Sequence, residues 1–206
     1  MARIPSSERR ALLVQAALRV IAEHGVSAAT TRAIVAEADM SLASFHYAFR
    51  SHSEMMTELI HYVVSAESTA AIAVIPHGAD IRSALAAGLH AFLDYVIADP
   101  GHEQVMQELL QYALRTPGLE SLAHDQYDSY RSAVSELLVD SAASAGVGWS
   151  IPVDEVARIV VTITDGVTLG WLADRDDDGA RRVVEFAAEA IARLAVDSSS
   201  TQGATS

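Results

Sequence analysis

Apolar residues recur at three- and four-residue intervals along nearly the whole chain, the period of a helix with one buried face. Leu13, Ala17, Val20 and Ile21 mark a first helix, which Gly25 stops. Thr30 can cap a short second helix carrying Ile34, Val35 and Ala38, and Ser41 a short third one reaching about Phe49. Ser51 and Glu54 form an S-x-x-E capping box at the start of a longer fourth helix, extending to about Val74. Pro76, His77 and Gly78 break it. Asp80 opens a fifth helix with Leu85, Leu89, Phe92, Leu93 and Val96 inward, ended by Pro100–Gly101. A sixth runs from His102 to Arg115. Thr116–Pro117 predicts the start of a long seventh, with Pro in the first helical position, and Gly146–Gly148 its end. The eighth spans Pro152 to about Ala173, and Asp176–Asp178 start a last helix running to about Val196. No segment alternates as a strand would, and no repeat is present. The pattern predicts an all-α protein of about nine helices, the short ones first, with a disordered Ser/Thr/Gly-rich tail over 198–206.

Composition narrows the function. With 206 residues, half of them hydrophobic, the chain can build one large or two small cores. It contains no Cys, which excludes disulfides, iron–sulfur clusters, Cys-ligated zinc and thiol catalysis. No run free of Asp, Glu and Arg approaches the roughly 18–20 residues that span a bilayer, and the start of the chain is polar. A soluble cytoplasmic protein with no membrane partner is expected. The net charge of -13 argues against nucleic acid on average. The average conceals a split: residues 1–50 hold six Arg against four acids, and residues 51–206 hold eight Arg against 23 acids. A mildly basic head is joined to a strongly acidic body.

The second and third helices, joined by about four residues, have the size of a helix-turn-helix, whose second helix presents side chains to base edges in the major groove. That helix reads Ser41, Leu42, Ala43, Ser44, Phe45, His46, Tyr47, Ala48, Phe49. Ser41 and Ser44 offer short hydrogen-bonding groups, and Leu42 and Phe45 apolar surface for thymine methyls. His46 and Tyr47 offer reach to a phosphate or base, and Arg32 is placed for phosphate. The same spacing also fits any short amphipathic hairpin of helices.

Residues 9–59 carry more than spacing. Ala17 to Gly25 follows the pattern A-L-x-V-I-A-E-x-G, and Thr30 to Met55 follows T-x-R-x-I-A-x-x-A-G-V-S-x-G-x-x-Y-x-x-F-x-x-K-x-x-L through Arg32, Ile34, Ala38, Ser41 and Phe49. In these residues the chain resembles the N-terminal domain of the TetR family of transcriptional regulators. The resemblance implies a three-helix DNA-binding domain over 8–68, with its motif at about 30–50, and a helical ligand-binding and dimerisation domain over 69–197. It also implies a homodimer on a palindromic double-stranded DNA operator, released by a small effector, without a cofactor or metal. DNA-contacting positions are then Thr30, Arg32, Ser41, Leu42, Ser44, Phe45, His46, Tyr47 and His52. The chain departs from the pattern at Asp39, Ala43, His46 (the usual aromatic position, with Tyr47 following), His52 and Met55, the last a conservative replacement of Leu. Asp39 replaces the turn Gly, and Asp tolerates left-handed backbone. Ala43 replaces a small Gly. His52 replaces a Lys that generally contacts phosphate, which predicts a weaker contact there.

The body has no comparable signature. The eighth helix places Val156, Val160, Ile163, Val167 and Trp171 in line, with Ile159 and Leu169 off that line, and the last carries Val184, Ala187, Ile191 and Leu194. Faces this broad suit a four-helix bundle made by two subunits through their last two helices. Phe92, Tyr95, Met106, Leu110, Tyr112, Tyr127, Tyr130 and Trp171 are candidates to line a pocket for a largely apolar effector with one or two polar groups. His90 is expected to be a surface or satisfied histidine. Enzymatic readings fail: Glu58 and His61 form a lone E-x-x-H where a di-metal bundle needs two, Gly146–Gly148 lacks a following Gly-Lys-Ser/Thr, and no G-x-S-x-G is present. A regulator is expected, with a helical sensor protein that has lost DNA binding as the alternative.

Overall fold

The computed structural model describes residues 5–70 and 79–197, without the side chains of 64–70. Among them are nine α-helices: α1 (Ser6–His24), α2 (Thr31–Glu37), α3 (Leu42–Ala48), α4 (His52–Ala70), α5 (Ile81–Ala98), α6 (Pro100–Arg115), α7 (Glu120–Ala145), α8 (Val153–Asp174) and α9 (Asp177–Ala192). A single 3₁₀ turn, Val26–Ala28, follows α1. The starts are set by side-chain caps. Thr30 Oγ1 accepts from the Ala33 N–H, Ser41 Oγ from Ser44, Asp80 from Ser83 and Asp176 from Gly179. At α4, Ser51 Oγ accepts from the Glu54 N–H (3.0 Å), while the Glu54 carboxylate turns back onto the Arg50 N–H (2.8 Å). The expected break at Pro76–Gly78, the last turn of the fourth helix to Val74 and the tail 198–206 lie outside the described residues.

The structure corrects two expectations. Thr116–Pro117 ends a helix instead of starting one. The Thr116 hydroxyl donates to the Tyr112 carbonyl (2.7 Å) and its N–H to Ala113, which closes α6. Gly118, at φ 88°, turns the chain, and its N–H donates to the Glu120 carboxylate at the head of α7. The chain is also not wholly helical. β1 (Val147–Trp149) pairs antiparallel with β2 (Ala195–Asp197), Trp149 opposite Ala195, so α9 stops at Ala192 and not near Val196. Three-residue strands are too short to show alternation, and their pairing joins residues some fifty positions apart. Two helices, α5 and α8, are long and apolar enough to cross a membrane by length and composition, with mean hydropathy 1.3 and 1.4. Charged residues such as Asp94 in α5 and Arg158 and Asp165 in α8 keep the uncharged runs within them short. Both helices bury a face in a hydrophobic core.

The chain forms two compact units, one from residues up to 67 together with 101–126, the other from 68–100 together with 127 onward. By packing, residues 101–126, expected with the second domain, join the first unit. Val105, Met106, Leu109, Ala113, Leu119, Leu122 and Ala123 join the core built by Leu13, Ile21, Ile34, Phe45, Phe49, Met55 and Leu59. The second core gathers Leu89, Leu93 and Val96 of α5, Val156, Val160, Val167 and Trp171 of α8, and Val184, Ala187, Ala188 and Ile191 of α9. The apolar line read along the eighth helix is thus mostly consumed inside its own unit.

One cation braces the first unit. Arg10 on α1 donates to the Ala48 carbonyl at the end of α3 (2.7 Å) and to Glu54 (3.1 Å) and Glu58 of α4, and lies 4.2 Å from the Phe49 ring centroid. The Arg50 N–H, then Arg10, hold the Glu54 carboxyl below its ordinary value of 4.5. A carboxyl depressed in the folded state contributes stability above its unfolded value and loses it as pH falls through the folded one. Acid titration followed by circular dichroism is expected to loosen this unit below about pH 4.5, and Arg10→Met to remove that share of the pH dependence. Phe45→Ala, at a site 1% exposed, is expected to cost about 3–5 kcal/mol in denaturant unfolding.

Candidate nucleic-acid interface

The connection between α2 and α3 is built by backbone. Asp39 sits at φ 51°, the left-handed conformation usually given to Gly. The Met40 N–H bonds the Val35 carbonyl (2.8 Å) and the Asp39 N–H bonds Ala36 (3.2 Å). These are the two crossed bonds of a Schellman motif, so the turn survives the Gly-to-Asp departure. Ser41 then caps α3, its hydroxyl 3.0 Å from that of Ser44.

The orientation of α3 follows from which residues are inward. Phe45, Ala48 and Phe49 are buried, with the two Phe rings 5.6 Å apart. Phe45 is therefore not a base-contacting residue. It is the anchor of the helix, and the expectation that it touches thymine methyls is corrected. Leu42 and His46, and Ala43 and Tyr47, form two i, i+4 rows on the opposite side. Leu42 is 43% exposed and Tyr47 61% exposed, large values for apolar and aromatic side chains. The Arg9 guanidinium of α1 lies 5.0 Å from the Tyr47 ring centroid, adding a cation to this face. Arg32 is exposed on the first turn of α2. Thr30 and Ser41 are exposed, but both hydroxyls serve as helix caps, and Ser44 is half-buried.

The charges are redistributed from what the sequence offers. Of the Arg residues near the head, Arg10 is spent internally and Arg19 pairs with Glu37 (2.5 Å). Arg3 lies outside the described residues. Arg9, Arg32 and Arg50 remain on or near the presented face. The ring of His52, expected near phosphate, is half-buried and bonds the Ala29 carbonyl through Nε2 (2.6 Å), pinning the start of α4 to the segment before α2. Glu108 of α6, which the sequence did not suggest, accepts the Val26 N–H (2.5 Å) and lies where a Cβ on Gly25 would come within 3.2 Å.

The eight effector candidates divide between the two units. Met106, Leu110 and Tyr112 belong to the first core, while Phe92 and Trp171 belong to the second. Trp171 is buried, its indole N–H donating to Asp177 (2.7 Å) and its ring covered by Arg175 at 4.4 Å. It ties α8 to the start of α9. Tyr95 is 41% exposed. Tyr127 and Tyr130 do come together, edge to face at 6.0 Å, and the Tyr127 hydroxyl donates to Asp165 of α8 (2.6 Å). Asp165 was missed. It is the one acid in the middle of an apolar helix, between Ile163 and Val167, and that was its signal in the sequence. Burial raises both the Asp165 carboxyl and the Tyr127 hydroxyl above their ordinary values. His90 bonds Glu185 (2.7 Å), as expected of a satisfied histidine, and Glu58 of the E-x-x-H is held by Arg10. A polar groove of about 760 Å³ between α7 and α8, lined among others by Arg131, Ser135, Asp154 and Arg158, includes none of the eight candidates.

Comparison with known proteins agrees with this geometry. Residues 13–59 match the model of bacterial regulatory proteins of the tetR family, and residues 81–196 that of the C-terminal domain of BetI-type transcriptional repressors. The nicotine-responsive transcriptional repressor HdnoR of Paenarthrobacter nicotinovorans is 31% identical over 179 residues, covering 85% of this chain and 89% of that one. A transcriptional regulator of Rhodococcus sp. Rha1 superposes with a TM-score of 0.73 at 20% identity, over 90% of this chain and 97% of its own. The multidrug binding protein EbrR, complexed with imidazole, does so at 0.65 and 26% identity, over 87% and 94%. These relatives are regulators and not enzymes. With residues 13–59 and 81–196 both matched, the chain belongs to the TetR family of DNA-binding transcriptional repressors.

Proposed function

We propose that this chain acts in the cytoplasm as a homodimeric repressor that binds a palindromic operator through paired α3 helices and leaves it when a small, largely apolar effector binds. The observation that carries the DNA-binding part is the outward row of Leu42, His46 and Tyr47, flanked by Arg9 and Arg32, on a helix whose other side is core. Two such helices read half-sites about 34–36 Å apart, or a multiple of that. An effector releases the dimer only by favouring the arrangement in which the heads no longer match that spacing. The relative's response to nicotine supports a small-molecule effector.

The face we assign to a second copy differs from the line read in the sequence. Val160 is 8% exposed and belongs to the core, so a charge there tests folding and not assembly. Ile159, Thr162, Gly166, Leu169 and Ala173 of α8 and Val183, Phe186 and Ala190 of α9 form outward stripes at three- and four-residue spacing. Phe186 is 75% exposed and Leu169 52% exposed, apolar surface of the kind a second copy would cover.

Against the alternative of a sensor without DNA binding, which the inward His52 favours, the decisive measurement is a gel shift on the DNA upstream of the protein's own coding sequence. Specific, salt-sensitive binding is expected, with a shallow slope of about 0.9 per phosphate contacted; no shift at any salt would establish the alternative. Tyr47→Ala is expected to weaken that binding at least about tenfold with an unchanged melting temperature. Phe186→Glu is expected to give monomers by light scattering at a concentration where the parent chain is dimeric.

A further inference from the structure

Asp165 is a carboxylate in an unusual position. It is half-buried on the flank of α8 that meets α7, and its single hydrogen bond among the described residues is the one from the Tyr127 hydroxyl. No Arg or His of the described residues pairs with it, although Arg residues elsewhere in this unit are matched to acids: Arg181 with Asp94, Arg82 with Glu185, and Arg131 with Asp128. An ionised carboxylate has about four acceptor positions, and one neutral donor fills only one of them. Holding such a group away from water without a cation is costly, which its raised carboxyl value reflects. Tyr127 needs only an acceptor, which a backbone carbonyl or an amide would supply at less cost. The ring of Tyr127, whose hydroxyl reaches the carboxylate, meets the ring of Tyr130 edge to face at 6.0 Å.

A carboxylate lacking a cation, set against a pair of aromatic rings, is the chemistry that recognises an organic cation: the carboxylate takes the charge and the N–H, and the rings take the adjoining apolar body. A metal ion does not fit, because no group of three His, Asp or Glu is gathered among the described residues. We propose that Asp165, with Tyr127 and Tyr130, forms the subsite for a protonated amine or quaternary ammonium group, so that the effector of this repressor is an organic cation. The proposal rests on the ligand-responsive reading above and narrows the chemistry of the ligand. Asp165 supplies charge, Tyr127 orients the carboxylate, and the charge of a bound cation relieves the unpaired burial. Binding thereby gains energy that a neutral molecule of the same shape does not.

The test uses the full chain and two probes of matched shape, 2-naphthylmethylammonium and the neutral 2-naphthylmethanol, titrated by calorimetry. The parent chain is expected to bind the ammonium at least about tenfold more tightly than the alcohol. Asp165→Asn keeps an acceptor for Tyr127 and is expected to abolish that preference. Tyr127→Phe keeps the charge and is expected to retain the preference with a weaker affinity for both. Equal binding of the two probes by the parent chain, no binding of the ammonium, or a preference surviving in Asp165→Asn overturns the proposal and leaves a structural Tyr–Asp pair only. The parent comparison needs no variant to fold. Operator binding, followed separately by gel shift without ligand, keeps the two readings apart. A shift without charge preference defeats the cation subsite and leaves the repressor standing, whereas no shift defeats the repressor.

Discussion

A seven-residue helix has no stability of its own in water, because nucleation costs more than so few hydrogen bonds return. The reading helix α3 is of this length, and so is α2. What holds α3 in place is the burial of Phe45 and Phe49 among Leu13, Ile34, Met55 and Leu59. Everything the head presents depends on that burial. Once Phe45 points inward, the helical period puts Leu42, His46 and Tyr47 outward. The caps at Thr30 and Ser41 and the left-handed Asp39 shape the ends of the two helices, and the aromatic pair decides their orientation.

The same economy governs charge. A head with six Arg looks like a cationic surface, but the fold spends Arg10 on bracing three helices and Arg19 on Glu37. The remaining cations lie beside the aromatic and apolar groups of the reading face, in a chain whose net charge is -13. On the reading proposed above, discrimination rests on short-range contacts more than on long-range attraction to DNA. His52 is likewise used internally, its ring bonding the Ala29 carbonyl.

In the second unit polar groups are placed more sparingly. The network of Arg82, His90, Asp94, Arg181 and Glu185 joins α5 to α9 at the surface, where each acid has a cation. Trp171, Arg175 and Asp177 fasten α8 to α9. Asp165 stands apart, half-buried and answered by a hydroxyl alone. Groups held at such a cost are characteristic of sites that await a partner.

Much was legible in the sequence because it is local. Caps, breakers and three-to-four spacing are interactions within a few residues, and they fixed seven of the helix starts closely, the helix-turn-helix, and the tolerance of Asp39 in the turn. The motif from Thr30 to Met55 carried the family. Most of the misses involve contacts between distant parts of the chain; Thr116 is the local exception. Thr116 closes a helix because of its bond to Tyr112 and the Gly118 turn that follows, and β1 exists only because β2 lies beside it. Phe45 and Tyr47 are two similar aromatics two residues apart, and only the presence of a core on one side of α3 makes one an anchor and the other a probe. Arg10, His52 and Asp165 likewise took their roles from partners 38, 23 and 38 residues away. The sequence by itself determined the helices and the kind of domain they build. The tertiary structure decided which face of each helix is buried and which charges are free to act, because burial and ion pairing are settled by neighbours in space that local spacing does not encode.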